Sequence, residues 1–184
     1  YELDHNRPKS KYPFLCTNFY NLQPCCGSCN KRKSAQDLPY SLYYEDGEPH
    51  PSPLHFAISP QDVIAFQTKG KCRGIKAYLC DDEKPGQSVV AKKDGTLAER
   101  FNFIFDIDKI YAEHDDEVEE LLWRNRIYTK GIVDAANQQF ADLDIEGFDF
   151  DRYILGTYAK KDEALKRPLT VMKQDVWEQI MKVE

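Results

Sequence analysis

Hydrophobic spacing divides the chain into three stretches. From Asp106 onward apolar residues recur three and four apart: Val118, Leu121 and Leu122, then Ile132, Ala136 and Phe140, then Leu169, Met172, Val176 and Ile180. That is the period of a helix with one buried face. A first helix is expected to begin in "EHDDEVEE", where acids suit the positive end of the helix dipole. Gly131 is expected to separate it from a second, and a last helix follows Pro168. Between residues 37 and 105 the pattern is shorter. The Pro- and Tyr-rich run 37–60 predicts extended loop with a short strand at "LHFAI". "VIAFQTKG", "GIKAYLC" and "RFNFIFDI" predict three more strands, the last because Phe101, Phe103 and Phe105 alternate. Asp94-Gly95 predicts a turn. Residues 1–36 read as strand ("YELDH"), loop ("NRPKSKYPF", with Pro8 and Pro13 forbidding regular structure), strand ("FYNLQ") and a helix opening near Ser28 as N-cap. The predicted class is α+β: a strand–loop–strand–helix unit over 1–36, extended loop and short strands over 37–105, and a helical region over 106–184.

Composition narrows the setting. The chain of 184 residues is 41% apolar, enough for a real core. No apolar run approaches the roughly 20 residues that span a bilayer, and no secretory signal is visible. The first residue is Tyr1 rather than methionine, compatible with a trimmed N-terminus. Six cysteines are too few for a disulfide scaffold, and the Cys26/Cys29 spacing points to a reduced, metal-binding use in the cytoplasm. Charge is uneven. Residues 1–36 carry six cations against two acids, net +4, so of the total −6 the other 148 residues hold −10. Such a chain is not expected to coat nucleic acid along its whole surface, but its basic head can meet phosphates locally.

The head also holds the candidate chemistry. Within "LDHNRPKSKYP" and "NLQPCCGSCNKRKS" stand Asp4-His5, Pro8, Asn21-Leu22, Cys26, Cys29, Asn30 and Lys33, in that order. This series resembles the motif of the HNH endonucleases, the ββα-metal nuclease family, in the variant whose last position is Asn rather than His. The resemblance implies a ββα-metal module over residues 1–36 and single-metal hydrolysis of a phosphodiester. More weakly, "FDIDKIYAEHDDEVEELLWRNRIY" and "DRYILGTYAKKDEALKRPLTVMKQDV" resemble the C-terminal part of bacterial HNH proteins of anti-phage defence, some of which pair with an ATPase.

Each matched position has a chemical reason. An imidazole titrates near neutral pH, so His5 suits a general base. Asp4 and Asn30 offer hard oxygen ligands for Mg2+ or Mn2+. Adjacent residues of a strand face opposite ways, so a twist at the strand end is needed to bring Asp4 and His5 to one phosphate. Asn21 is expected to brace the loop and orient the His5 ring. Arg7, Lys9, Lys31, Arg32 and Lys33 are expected to meet phosphates, DNA being favoured over RNA. Cys26 and Cys29 are implied to be half of a structural Zn2+ site, which needs four ligands. The family usually supplies the other pair upstream of Asp-His, so either that pair has been cut away or other residues substitute. Cys72 and Cys80 could do so, though their spacing fits no standard zinc knuckle, while Cys16 and Cys25 are expected to be buried apolar thiols. His114 sits in an acidic helix start, His50 and His55 carry no assigned role, and "DDE" at 81–83 reads as a turn. The competing expectation is a zinc-stabilised binding subunit of an ATPase complex, without catalysis. The retention of Asp4, His5 and Asn30 argues against it.

Overall fold

The computed structural model describes residues 1–40, 52–82, 86–87, 91–142 and 149–182. Among these the chain forms eight α-helices and two separate two-stranded antiparallel sheets, an α+β arrangement that is mostly helical. The first unit is β1 (Glu2–His5), a loop with short 3-10 turns at Pro13–Leu15 and Phe19–Asn21, β2 (Leu22–Cys25) and α1 (Gly27–Lys33). The strand expected at "FYNLQ" therefore starts three residues late, and Cys26 rather than Ser28 caps α1. Cys26 holds extended backbone and its sulfur accepts from the Cys29 amide, at 3.3 Å.

The second unit carries the main core. β3 (His55–Ile58) pairs with β4 (Ala77–Cys80), and α2 (Pro60–Lys69) runs between them. A two-stranded sheet has two raw edges whose amides need partners. Side chains provide them. Asp175 and Gln179, one turn apart on α8 (Thr170–Met181), accept from the amides of Phe56 (2.9 Å) and Ile58 (2.8 Å), and Gln179 donates back to the Ile58 carbonyl. On the other edge Asp108, from α4 (Ile107–Tyr111), accepts from the Leu79 amide at 3.1 Å. Burial raises both the Asp108 and the Asp175 pKa.

Around this sheet the core joins Phe56, Ile58, Phe66 and Ile75 to Val118, Leu121 and Leu122 of α5 (Asp115–Ile127) and to Met172, Val176 and Ile180 of α8. The α5 and α8 stripes are thus the ones their spacing predicted. The second helical repeat is α6 (Lys130–Asp142), where Ile132 is exposed and Ala136 and Phe140 are half-buried. The break before it falls at Tyr128–Thr129, and Gly131 lies inside α6. A short α7 (Phe150–Leu155) completes the set.

Two expected strands are helices. "VIAFQTKG" lies in α2, which opens on the Ser59 hydroxyl with Pro60 in the first turn and closes on Gly70 at φ 64°. "RFNFIFDI" lies largely in α3 (Leu97–Phe105), begun by a capping box in which Thr96 and Glu99 serve each other's amides. The local end signals prevail over the apparent alternation: Phe101 and Phe105 pack one turn apart with tilted rings, centroids 5.6 Å apart, and Phe103 is left exposed. The 37–105 stretch is therefore more helical than expected. Asp94-Gly95 is a turn, while His50 and Glu83 lie outside the described residues.

A small second core ties the first unit to α3. Leu38, Ile104 and Phe105 are buried together, with Cys29, Phe101 and Ile107 against them. Arg32 locks this contact, bonding the Phe105 carbonyl (3.1 Å) and the Asp106 carboxylate (3.0 Å). No helix among the described residues is long and apolar enough to cross a membrane.

Candidate functional site

A period of two on β1 meets a period near four on α1. Glu2 and Asp4 lie on one face of the strand, and Asn30 and Lys33 lie one turn apart on the helix. The Asn30 amide donates to Glu2 Oε2 at 2.7 Å. Lys33 Nζ stands 3.2 Å from Asp4 Oδ2 and 3.3 Å from Asp4 Oδ1, and also donates to the His5 carbonyl. Lys33 is fully buried and Asp4 is 5% exposed, while their neighbour Leu3 is 66% exposed. The usual apolar-in pattern is inverted here. A carboxylate buried this deeply needs a paired cation and further hydrogen bonds. Lys33 supplies the charge, and the His5 amide adds a bond to Asp4 Oδ1 at 2.7 Å. Asp4 Oδ2 has the ammonium beside it but no donor aligned on it for a hydrogen bond.

His5 ends β1, and its ring turns toward the loop. Nε2 lies 3.0 Å from the Cys16 carbonyl. A carbonyl only accepts, so this contact places the proton on Nε2 and leaves Nδ1 as the acceptor nitrogen. Asn21 is buried and ties the same loop: it accepts from the Arg7 amide (2.7 Å) and donates to the carbonyls of Arg7 (3.0 Å) and Leu15 (3.2 Å). Its hold on Leu15 is one residue from the carbonyl that the His5 ring meets. Asn21 therefore acts on the ring through the loop, not by a direct bond.

Asp4, His5 and Asn30 border one cleft of about 420 Å³, together with Leu3, Pro8, Lys9, Ser10 and Ser34. The strand-end position of His5 brings the adjacent Asp4 and His5 to one opening. Ser34, which ends α1 at φ 50°, forms part of the rim.

The expected basic face divides into separate uses. Lys9 lines the cleft and Lys31 is exposed. Arg7 and Lys11 both lean on Asp37, at 3.8 Å and 3.4 Å. Arg32 is engaged with Asp106 and the Phe105 carbonyl. Lys33 has no exposed surface and cannot stand on a phosphate-facing helix surface with Lys31. The expectation for Lys33 is thus corrected: a charge run reads as solvated, but Asp4, facing this residue from β1, draws it inward.

The cysteines separate as well. Cys26 is exposed and Cys29 half-buried. Hydrogen bonds from the Cys29 backbone and thiol pull the Cys26 thiol pKa down, while burial and the bond to Cys26 push Cys29 up to about 11. Cys16 is exposed and Cys25 half-buried, so neither is the buried thiol expected. Cys72 and Cys80 are buried in the second unit, with the Cys80 sulfur between the Tyr78 carbonyl and the Gly86 amide. Neither is free to complete a shell with Cys26 and Cys29.

Among the described residues no three His, Cys, Asp or Glu side chains converge as a metal cluster. A closed tetrahedral zinc site needs four ligands, so the residues described do not by themselves build one around Cys26 and Cys29. A hard divalent ion asks less of the protein and keeps waters. Asp4 Oδ2, buried without a hydrogen-bond donor, and the oxygen of Asn30 are of the type it takes, and both residues border the cleft.

Sequence reasoning passed over Glu2, Asp37 and Asp106, the acids that hold Asn30, Arg7 with Lys11, and Arg32. Glu2 could have been found from its spacing of two from Asp4; the other two depend on tertiary contacts. Compared with known proteins, the chain matches no family model, no curated protein and no solved structure.

Proposed function

We propose that the chain is a metal-dependent endonuclease of the HNH type, hydrolysing nucleic-acid phosphodiesters in the cleft between β1 and α1. The observation that carries this reading is the joint access of Asp4, His5 and Asn30 to one opening of about 420 Å³. In the proposed reaction His5 Nδ1 takes a proton from the attacking water, its Nε2 held by the Cys16 carbonyl. Asn21 keeps that carbonyl in place through Leu15 and Arg7. Asp4 and Asn30 would hold Mg2+ or Mn2+. Such an ion neutralises charge on the phosphate and the departing oxygen. Lys9 in the cleft and the exposed Lys31 on α1 offer phosphate contacts, with DNA the preferred substrate. A setting in bacterial anti-phage defence, in the cytoplasm beside an ATPase partner, extends the same resemblance.

Asn30→Ala tests the metal assignment. The variant should need more Mg2+ or Mn2+ to reach half-maximal cleavage, because one of two protein oxygens is removed. An unshifted metal titration would take Asn30 out of the site.

One observation favours the second reading, a non-catalytic binding subunit. The Asp4 carboxylate already has a buried ammonium at 3.2 Å, so a metal ion would share it with Lys33. A protein that bound nucleic acid equally well with and without divalent ions, and never cut it, would fit this reading.

A further inference from the structure

We propose that a second groove, between the α2–β4 turn and the C-terminal half of α5, holds a single nucleic-acid strand, with one base on Trp123 and phosphates on Arg126, Lys71 and Arg73. The groove has a volume of about 660 Å³ and is lined by these four residues with Gly70, Cys72 and Ile127. No acid lines it, although the chain beyond residue 36 carries −10. A neighbouring groove of about 440 Å³ shares Gly70 and Arg126 and extends the track past Gln67, Thr68 and Thr129.

Arg126 is the central cation of the groove. Among the described residues no carboxylate or carbonyl bonds its guanidinium. It is placed instead by shape. Gly70 ends α2 at φ 64°, and a Cβ there would fall 1.2 Å from Arg126 Nη1, so the guanidinium lies on the bare glycine. The result is a positioned cation with its hydrogen bonds unspent. Lys71 and Arg73 flank it, each resting on one carboxylate at the side: Asp62 at 2.7 Å and Glu119 at 3.2 Å. Both pairs are solvent-exposed, and such pairs leave the cations able to meet a further anion.

Trp123 stands three residues before Arg126 on the same helix face and is 51% exposed. An indole beside a guanidinium is the usual platform for an unstacked base and its phosphate. A duplex hides its base faces and would leave the indole uncovered. An acidic peptide would use the cations alone. The aromatic therefore selects a single strand. The proposal rests on the nuclease reading only for what the strand is held for; binding itself is measured without cleavage.

The test uses the full chain carrying His5→Ala, in EDTA, titrated with a single-stranded oligothymidylate. Trp177 packs against the core, so Trp123 is the tryptophan that a ligand can reach. Its emission should be quenched saturably. Trp123→Leu should abolish the quench and weaken binding about tenfold or more, since stacking carries much of such affinity. Trp123→Phe keeps a ring and should retain most of the binding, which separates stacking from folding. Arg126→Glu should weaken binding and lower the slope of log affinity on log salt by about 0.7 for each phosphate that the protein no longer neutralises. Three results would overturn the proposal: no quench, affinity unchanged in both Trp123→Leu and Arg126→Glu, or polyglutamate competing as well as the oligonucleotide. Absence of cleavage by the unsubstituted chain supplied with Mg2+ or Mn2+, with strand binding retained, would count against the nuclease reading alone.

Discussion

Replacing His5 with alanine is expected to slow phosphodiester cleavage by roughly a hundredfold to ten-thousandfold, the usual worth of a positioned general base. Among the described residues the ring gives up one hydrogen bond, that to the Cys16 carbonyl, and a single such bond contributes about 0.5–1.5 kcal/mol to folding. The backbone of His5 keeps its partners, since its amide serves Asp4 and its carbonyl serves Lys33. The variant should therefore fold as the parent does and bind substrate as the parent does. Initial rates at saturating substrate, read beside the binding constant, distinguish the two effects. Full-rate cleavage by a well-folded variant would remove His5 from the chemistry.

Lys33→Met should be the most damaging substitution to the fold of residues 1–36. Most ion pairs among the described residues are surface pairs, worth about 1 kcal/mol or less. The Lys33–Asp4 pair is different, with side chains 0% and 7% exposed. Methionine would fill the space of the lysine stem but leave the carboxylate buried without its cation, and breaking such a pair costs about 3–5 kcal/mol. Hydrogen exchange at the β1 and β2 amides should rise sharply, while protection around α5 and α8 stays as it is, because the main core does not include this pair. Adding Asp4→Leu to Lys33→Met should recover much of the protection. If Lys33→Met exchanges as slowly as the parent, the ammonium is not the counterion that keeps Asp4 inside.

The same pair shows where the sequence was readable and where it was not. Asp-His at a strand end, Asn-Leu at the start of the second strand and Asn30 on the helix located the unit, because residue order along a short strand–loop–strand–helix unit limits which side chains can meet. The partner of each charge was not readable. Lys31, Arg32 and Lys33 are consecutive, and three successive helix positions point about 100° apart. One goes to solvent, one to Asp106 and one into the interior. Only the tertiary packing of α1 on β1 and α3 decides which.

The middle of the chain failed for another reason. Short apolar runs such as "VIAFQTKG" fit either period, so the ends must arbitrate. The ends were informative. Ser59-Pro60 with Gly70, and Thr96 with Glu99, are helix start and stop signals, and both lie in plain view. Weighting them above the Phe101/Phe103/Phe105 alternation gives α2 and α3 correctly. The stripes of α5 and α8 needed no such help, since Val118, Leu121 and Leu122, and Met172, Val176 and Ile180, repeat over longer windows. What no window could show is the use of Asp108, Asp175 and Gln179 to satisfy the edges of the β3–β4 sheet, a contact between residues as much as 121 apart.

The proposal of a nuclease centre in the cleft stands or falls on one measurement. The full chain, stripped of metal with EDTA and then resupplied with Mg2+ or Mn2+, is incubated with end-labelled DNA and the product termini are identified. Internal cuts that leave 5′-phosphate and 3′-hydroxyl ends, appear only with the added ion and vanish in His5→Ala are the predicted result. Intact DNA under saturating binding and added metal, or cleavage that persists undiminished in EDTA, would contradict it.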